Sequence, residues 1–107
     1  MRYVTGDTGP AYTARIPLLD NDAVATGSYA DLTDATVNFQ MRKPDDKKYQ
    51  VNQPATIVGA ATDGRVSYSW AVNDLGIAGT YEVQFEVTWN DGTIQTTAAE
   101  TITVERQ

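Results

Sequence analysis

Two residue types are absent from this chain of 107 residues: cysteine and histidine. Without cysteine there is no disulfide scaffold and no thiolate metal site, so stability has to come from packing. Without histidine the chain lacks the commonest general base and the commonest metal ligand, and with them every Ser-His or Cys-His nucleophile. Basic residues are scarce too. Eight Lys and Arg stand against fourteen Asp and Glu, for a net charge of −6. The basic residues are scattered apart from Arg42-Lys43 and Lys47-Lys48, which flank an acidic pair. Nucleic-acid binding needs clustered cations, and this pattern argues against it. No apolar run approaches membrane-spanning length, and Met1-Arg2-Tyr3-Val4-Thr5-Gly6 lacks the apolar centre of a signal peptide. A soluble, unexported domain is the expectation.

What is present is a β pattern. In Gly79–Trp89, Tyr81, Val83, Phe85, Val87 and Trp89 alternate with Glu82, Gln84, Glu86 and Thr88. A strand sends alternate side chains to opposite faces, whereas a helical period would mix the glutamates into the apolar side. Asn90-Asp91-Gly92 follows as a tight turn, with a hairpin partner from Thr93 onward. Elsewhere, Ala35–Arg42 reads as a strand with Val37, Phe39 and Met41 inward and Gln40 outward. Arg65–Ala71 reads the same way, with Val66, Tyr68 and Trp70 inward. Tyr12–Leu19 is expected to be an edge strand, because Pro17 cannot donate a ladder hydrogen bond, with Ile16 and Leu18 pointing inward.

The remaining segments carry weaker patterns. Residues 23–34 read as loop, with Leu32 plugging the end of the core. Tyr49–Asn52 suggests a short strand, Asp63-Gly64 a hairpin turn and Asn73-Asp74 the cap of a single helical turn. Ala98-Ala99-Glu100 marks a break before Ile102 and Val104 anchor the end of the chain. Residues 1–10, with two glycines and a proline in Gly6-Asp7-Thr8-Gly9-Pro10, read as a flexible N-terminal arm, leaving 11–107 as one domain. About seven short strands with frequent turns predict an all-β, immunoglobulin-like antiparallel β-sandwich. A small barrel is the alternative.

Asp74 followed by Gly79-Thr80-Tyr81-Glu82-Val83 resembles the approach to the penultimate strand of immunoglobulin-type sandwiches. That resemblance implies a corner hydrogen bond from the Tyr81 hydroxyl. A second resemblance spans nearly the whole chain. Gly6-Asp7-Thr8-Gly9-Pro10, Asp31-Leu32-Thr33-Asp34-Ala35-Thr36-Val37 and Met41-Arg42-Lys43-Pro44 come first. Gly64-Arg65-Val66-Ser67-Tyr68-Ser69-Trp70 and Gly79-Thr80-Tyr81 through Asp91-Gly92 follow in the same order. Together they resemble the immunoglobulin-like N-terminal domain of phage baseplate upper proteins. The chain departs from that pattern at Asp34, where glycine is usual. The resemblance implies a non-enzymatic virion structural or assembly protein in a tail, baseplate, neck or capsid-associated position, assembled in the host cytoplasm. Its implied partners are other phage structural proteins, with neither nucleic acid nor membrane among them. Homo-oligomerisation fits this reading and leaves no mark in a single sequence.

No catalytic, cofactor or metal set is expected. Asp20, Asp22, Asp31, Asp34, Asp45, Asp46 and Asp91 carry calcium-type oxygens, but no calcium loop pattern orders them, and acids of this kind favour turns. Glu82 and Glu86 fall on the outward face of one strand, and Ser67 and Ser69 lack a base. The candidate contact residues are aromatic: Trp89 at the end of its strand, and Tyr3, Tyr29 and Tyr49 in irregular segments. A carbohydrate- or host-surface-binding sandwich is the alternative function, since such folds carry binding loops at one end.

Overall fold

The computed structural model describes residues 2–19, 22, 25–46, 48–97 and 99–106. Eleven strands form among them: β1 (Arg2–Val4), β2 (Tyr12–Arg15), β3 (Pro17–Leu19), β4 (Ala25–Tyr29), β5 (Ala35–Arg42), β6 (Val51–Pro54), β7 (Thr56–Ile57), β8 (Arg65–Tyr68), β9 (Gly79–Trp89), β10 (Ile94–Thr96) and β11 (Glu100–Glu105). A larger sheet runs β1-β11-β9-β5-β6, with β10 continuing beside β9 where β11 leaves off. A smaller sheet, β2-β8-β7, faces it, and β3-β4 form a separate two-stranded ribbon. This is an immunoglobulin-like β-sandwich. Its pairings are antiparallel except for β1 with β11.

The strand with the cleanest alternation sits at the centre of the larger sheet. Tyr81, Val83, Phe85 and Val87 of β9 are all buried, and β5 lies beside it in a register that sets Val37 against Val87, Phe39 against Phe85 and Met41 against Val83. Two matched apolar rows thus meet the smaller sheet. There Tyr68 stacks on Phe39 with ring centroids 4.4 Å apart and an interplanar angle of 10°. Trp70, just after β8, meets the same Phe39 ring edge-on at 5.2 Å, and Phe85 does so at 5.4 Å. Such geometries add to plain area burial because ring edges and faces carry opposite partial charge.

Buried tyrosine and tryptophan bring polar atoms into this seam, and most are satisfied at its edge. The Tyr12 hydroxyl donates to the Glu100 carboxylate and the Tyr68 hydroxyl to Asp74. Trp70 Nε1 donates to the Pro10 carbonyl at 3.1 Å. The Tyr81 hydroxyl donates to the Ile77 carbonyl at 2.8 Å, which is the corner bond expected from the sequence. Tyr3 differs: its hydroxyl is buried with no hydrogen-bond partner among the described residues, and its ring packs edge-on to Trp70 at 5.1 Å.

Several expectations need correction. Residues 2–4 do not form an arm. They make β1, which pairs in parallel with Thr103–Glu105 and buries Tyr3 beneath the edge of the larger sheet. Residues 23–34 are not all loop, since Ala25–Tyr29 pairs with β3. Residues 26–29 are exposed along their whole length, so no alternation of burial marks this strand. Leu18 is 46% exposed rather than inward. At Ile16 the chain changes partners, its amide donating to Gly64 and its carbonyl accepting from Ala30. An irregularity between Pro17 and Leu19 then shifts the register, so the alternation of β2 does not carry into β3. Residues 72–75 form a turn without a helix. Gln40, expected outward, is 5% exposed because Gln84 donates to its side-chain oxygen at 2.8 Å across the outer face.

Two backbone positions explain residues that pattern alone does not. Gly64 has φ +68°, and a Cβ there would come within 3.0 Å of the Ala30 carbonyl oxygen and of Tyr29 Cβ. Both the conformation and the space exclude a side chain. Asp34, which stands where glycine is usual in the resembling family, has φ 58°, in the left-handed region that glycine enters freely and aspartate tolerates.

The seam sets a clear expectation for its members. Phe85→Ala removes a ring packed against Phe39 and Tyr12 and should cost about 3–5 kcal/mol. Urea unfolding reads this directly, and an unchanged midpoint would mean that the inner face of β9 is wrongly assigned.

Candidate docking surface at the Trp89 rim

At the end of the sandwich where β9 turns back, three separated segments come together. The β9–β10 turn is closed by the Trp89 carbonyl accepting from Gly92, and by the Trp89 amide donating to the Thr93 carbonyl at 2.9 Å. Its residues Trp89, Asp91, Thr93 and Gln95 form one wall of an open groove of about 350 Å³. Leu18 and Leu19 of the ribbon, with Ala30 and Asp31, form the other. The wall-to-wall ties are polar. The Trp89 indole N–H donates to the Asp31 carbonyl at 2.9 Å, and the Gln95 side-chain amide donates to the Pro17 carbonyl at 3.0 Å. The indole is therefore fixed in orientation, half-buried against the core yet open to the groove.

Asp31 and Asp91 mark the two sides. Each caps a local turn: Asp31 accepts from the Thr33 amide at 2.9 Å and hydroxyl at 2.6 Å, and Asp91 accepts from the Thr93 amide at 2.8 Å. The Thr33 hydroxyl and amide hold the Asp31 carboxyl below the usual carboxylate range, and the Thr93 amide does the same for Asp91. Both are ionised near neutrality. Among the described residues no Lys or Arg lines the groove.

Of the aromatic candidates, only Trp89 belongs to this groove. Tyr29 is not among its lining residues; it is 43% exposed, with the Arg15 guanidinium 3.6 Å from its ring centroid. Tyr49 is 39% exposed and lies elsewhere, its hydroxyl accepting from Gln84 at 3.2 Å over the outer face of the larger sheet. Tyr3 is 2% exposed and presents no ring to a partner. Leu18, Leu19 and Asp31, which join Trp89 in lining this groove, carry no contact signal in the sequence. Leu18 and Leu19 reach Trp89 through the change of partners at Ile16, which no local pattern announces. Glu82 and Glu86 stay on the outward face, with Glu82 3.9 Å from Arg42.

Residues 18–106 match the model of the family described as the BppU N-terminal domain, the N-terminal domain of a phage baseplate upper protein. The chain belongs to this family. The matched span covers β9 and the residues on both sides of the Trp89 groove. A search of curated proteins finds no match. Among solved structures, CopC from Methylosinus trichosporium OB3b is similar with a TM-score of 0.53 at 15% identity, covering 99% of this chain and 83% of that one. At that identity the likeness concerns the fold alone. Among the described residues no helix is long and apolar enough to cross a membrane.

The two turn acids carry a pH expectation. Their folded pKa values are depressed, so the stability they contribute is present above the unfolded carboxylate value near 3.9 and is lost as pH falls through the folded values. Asp31→Asn together with Asp91→Asn should therefore flatten the loss of melting temperature on acidification below about pH 4. An acid limb identical to that of the parent would mean that these turn bonds do not favour the ionised forms.

Proposed function

We propose that this chain is a non-enzymatic virion module that acts through protein–protein contacts, with the Trp89 groove as a docking surface. Membership of the baseplate family over residues 18–106 carries the reading. The partners are other phage structural proteins, and the protein is placed in the virion after assembly in the host cytoplasm. The rim chemistry supports a contact role. An orientated indole beside two leucines is the kind of aromatic and aliphatic pairing that supplies interface energy, and its position at the end of the sandwich leaves the core undisturbed on docking. The polar groups closest to the seam are committed to structural bonds: Tyr12 to Glu100, and Tyr68 to Asp74. Burial and the neighbouring carboxylates push both phenols far above their ordinary pKa, so they stay protonated and hold the sheets rather than exchange protons.

The test is assembly. Co-expressed with the products of neighbouring genes, the chain should elute by size exclusion with light scattering in a complex with a baseplate component. Leu18→Asp, at an exposed position, should keep stability within about 0.5 kcal/mol and lose the complex. Absence of any complex would overturn the virion reading. A complex unaffected by Leu18→Asp would remove the groove from it.

A further inference from the structure

We infer that the Trp89 groove takes a basic, aliphatic-bearing segment of a different protein, and not a second copy of this chain. The inference rests on the reading of the chain as an assembly module and adds the chemistry of the partner. Each wall of the groove pairs an apolar residue with an acid: Trp89 stands with Asp91 on one side, and Leu18 and Leu19 with Asp31 on the other. Both carboxylates are ionised, among the described residues no cation lines the groove beside them, and the chain as a whole carries −6.

A lysine or arginine stem lays methylenes along leucine and indole while its charged head reaches a carboxylate, and a cation over an indole face is itself attractive. The same groove disfavours self-association. In a two-fold contact the same patch meets itself, so the Asp31 and Asp91 pair of one copy would face the identical pair of its mate at the interface. The tether from the indole N–H to the Asp31 carbonyl holds the ring in place before any partner arrives, which lowers the ordering cost of docking.

The probe is a synthetic peptide, Lys-Leu-Lys-Leu-Lys-Leu-Lys, blocked at both ends, titrated into the isotope-labelled protein and followed by amide and indole N–H shifts. Shifts should centre on Leu18, Leu19, Asp31 and Trp89, including the Trp89 indole, and added salt should weaken them. The counterpart with glutamate in place of lysine should give none. Asp31→Asn with Asp91→Asn keeps the turn-capping oxygens and removes both charges. It should weaken binding about tenfold, the equivalent of two partly exposed ion pairs. Asp45→Asn with Asp46→Asn, away from the groove, should leave binding unchanged.

Shifts spread over the acidic surface, equal loss in both double variants, or equal binding of the glutamate peptide would overturn the inference. So would a concentration-dependent dimer that Leu18→Asp abolishes, since that assigns the groove to a second copy. A negative peptide result with an intact baseplate complex overturns only the partner chemistry. A positive peptide result with no baseplate complex supports the groove chemistry and overturns the virion reading.

Discussion

The stack of Phe39 on Tyr68, one ring from each sheet at 4.4 Å, is the contact through which the two layers of this sandwich become one body. Phe39 also meets Tyr12, Trp70 and Phe85, so a single side chain touches rings from β2, β8 and its continuation, and β9. With no cysteine to staple the sheets, this packing replaces the inter-sheet disulfide of antibody domains. Rings suit the task because each brings a large apolar area, and tyrosine and tryptophan place a polar tip at the boundary where a partner waits. Glu100, Asp74, Pro10 and Ile77 are those partners, which ties the termini and the β8–β9 connection to the seam.

That seam leaves one end of the molecule free for other work. The ribbon β3-β4 hydrogen-bonds to neither large sheet as a strand, and its residues 26–29 are exposed. Two-stranded ribbons are marginal alone in water. This one is steadied by the Gln95 bond to Pro17, by Arg15 over Tyr29 and by Gly64 pressed against Ala30 and Tyr29. The Trp89 groove lies between the ribbon and β10. A stable seam with a less committed rim suits a part that must hold its shape while joining a neighbour.

Legibility in the sequence followed the locality of the signal. The bounds of β5 and β9 and the apolar faces of both were readable, because the sequence of each alternates and ends at a turn, although the burial of Gln40 on the outer face of β5 was not. The corner bond of Tyr81 was readable from Gly79-Thr80-Tyr81. Strand β1 was not, because its partner lies at Thr103–Glu105 and a parallel pairing that distant leaves no trace near Arg2–Val4. Strand β4 was invisible for another reason: Thr26, Gly27 and Ser28 bury no face, so no period exists to detect. Leu18 was misplaced because the partner change at Ile16 resets alternation. Trp89 stands out in the sequence by its position at a strand end beside a turn, whereas the company of Leu18, Leu19 and Asp31 in the groove depends on the tertiary fold.

Hydrogen exchange under native conditions tests most directly whether the aromatic seam, and not the rim, holds this fold together. The account predicts that amides of β5 and β9 exchange only through global unfolding, while those of the β3-β4 ribbon exchange through a local opening of lower free energy that leaves the seam intact. Ribbon amides as protected as those of β9, or β9 amides exchanging first, would contradict it.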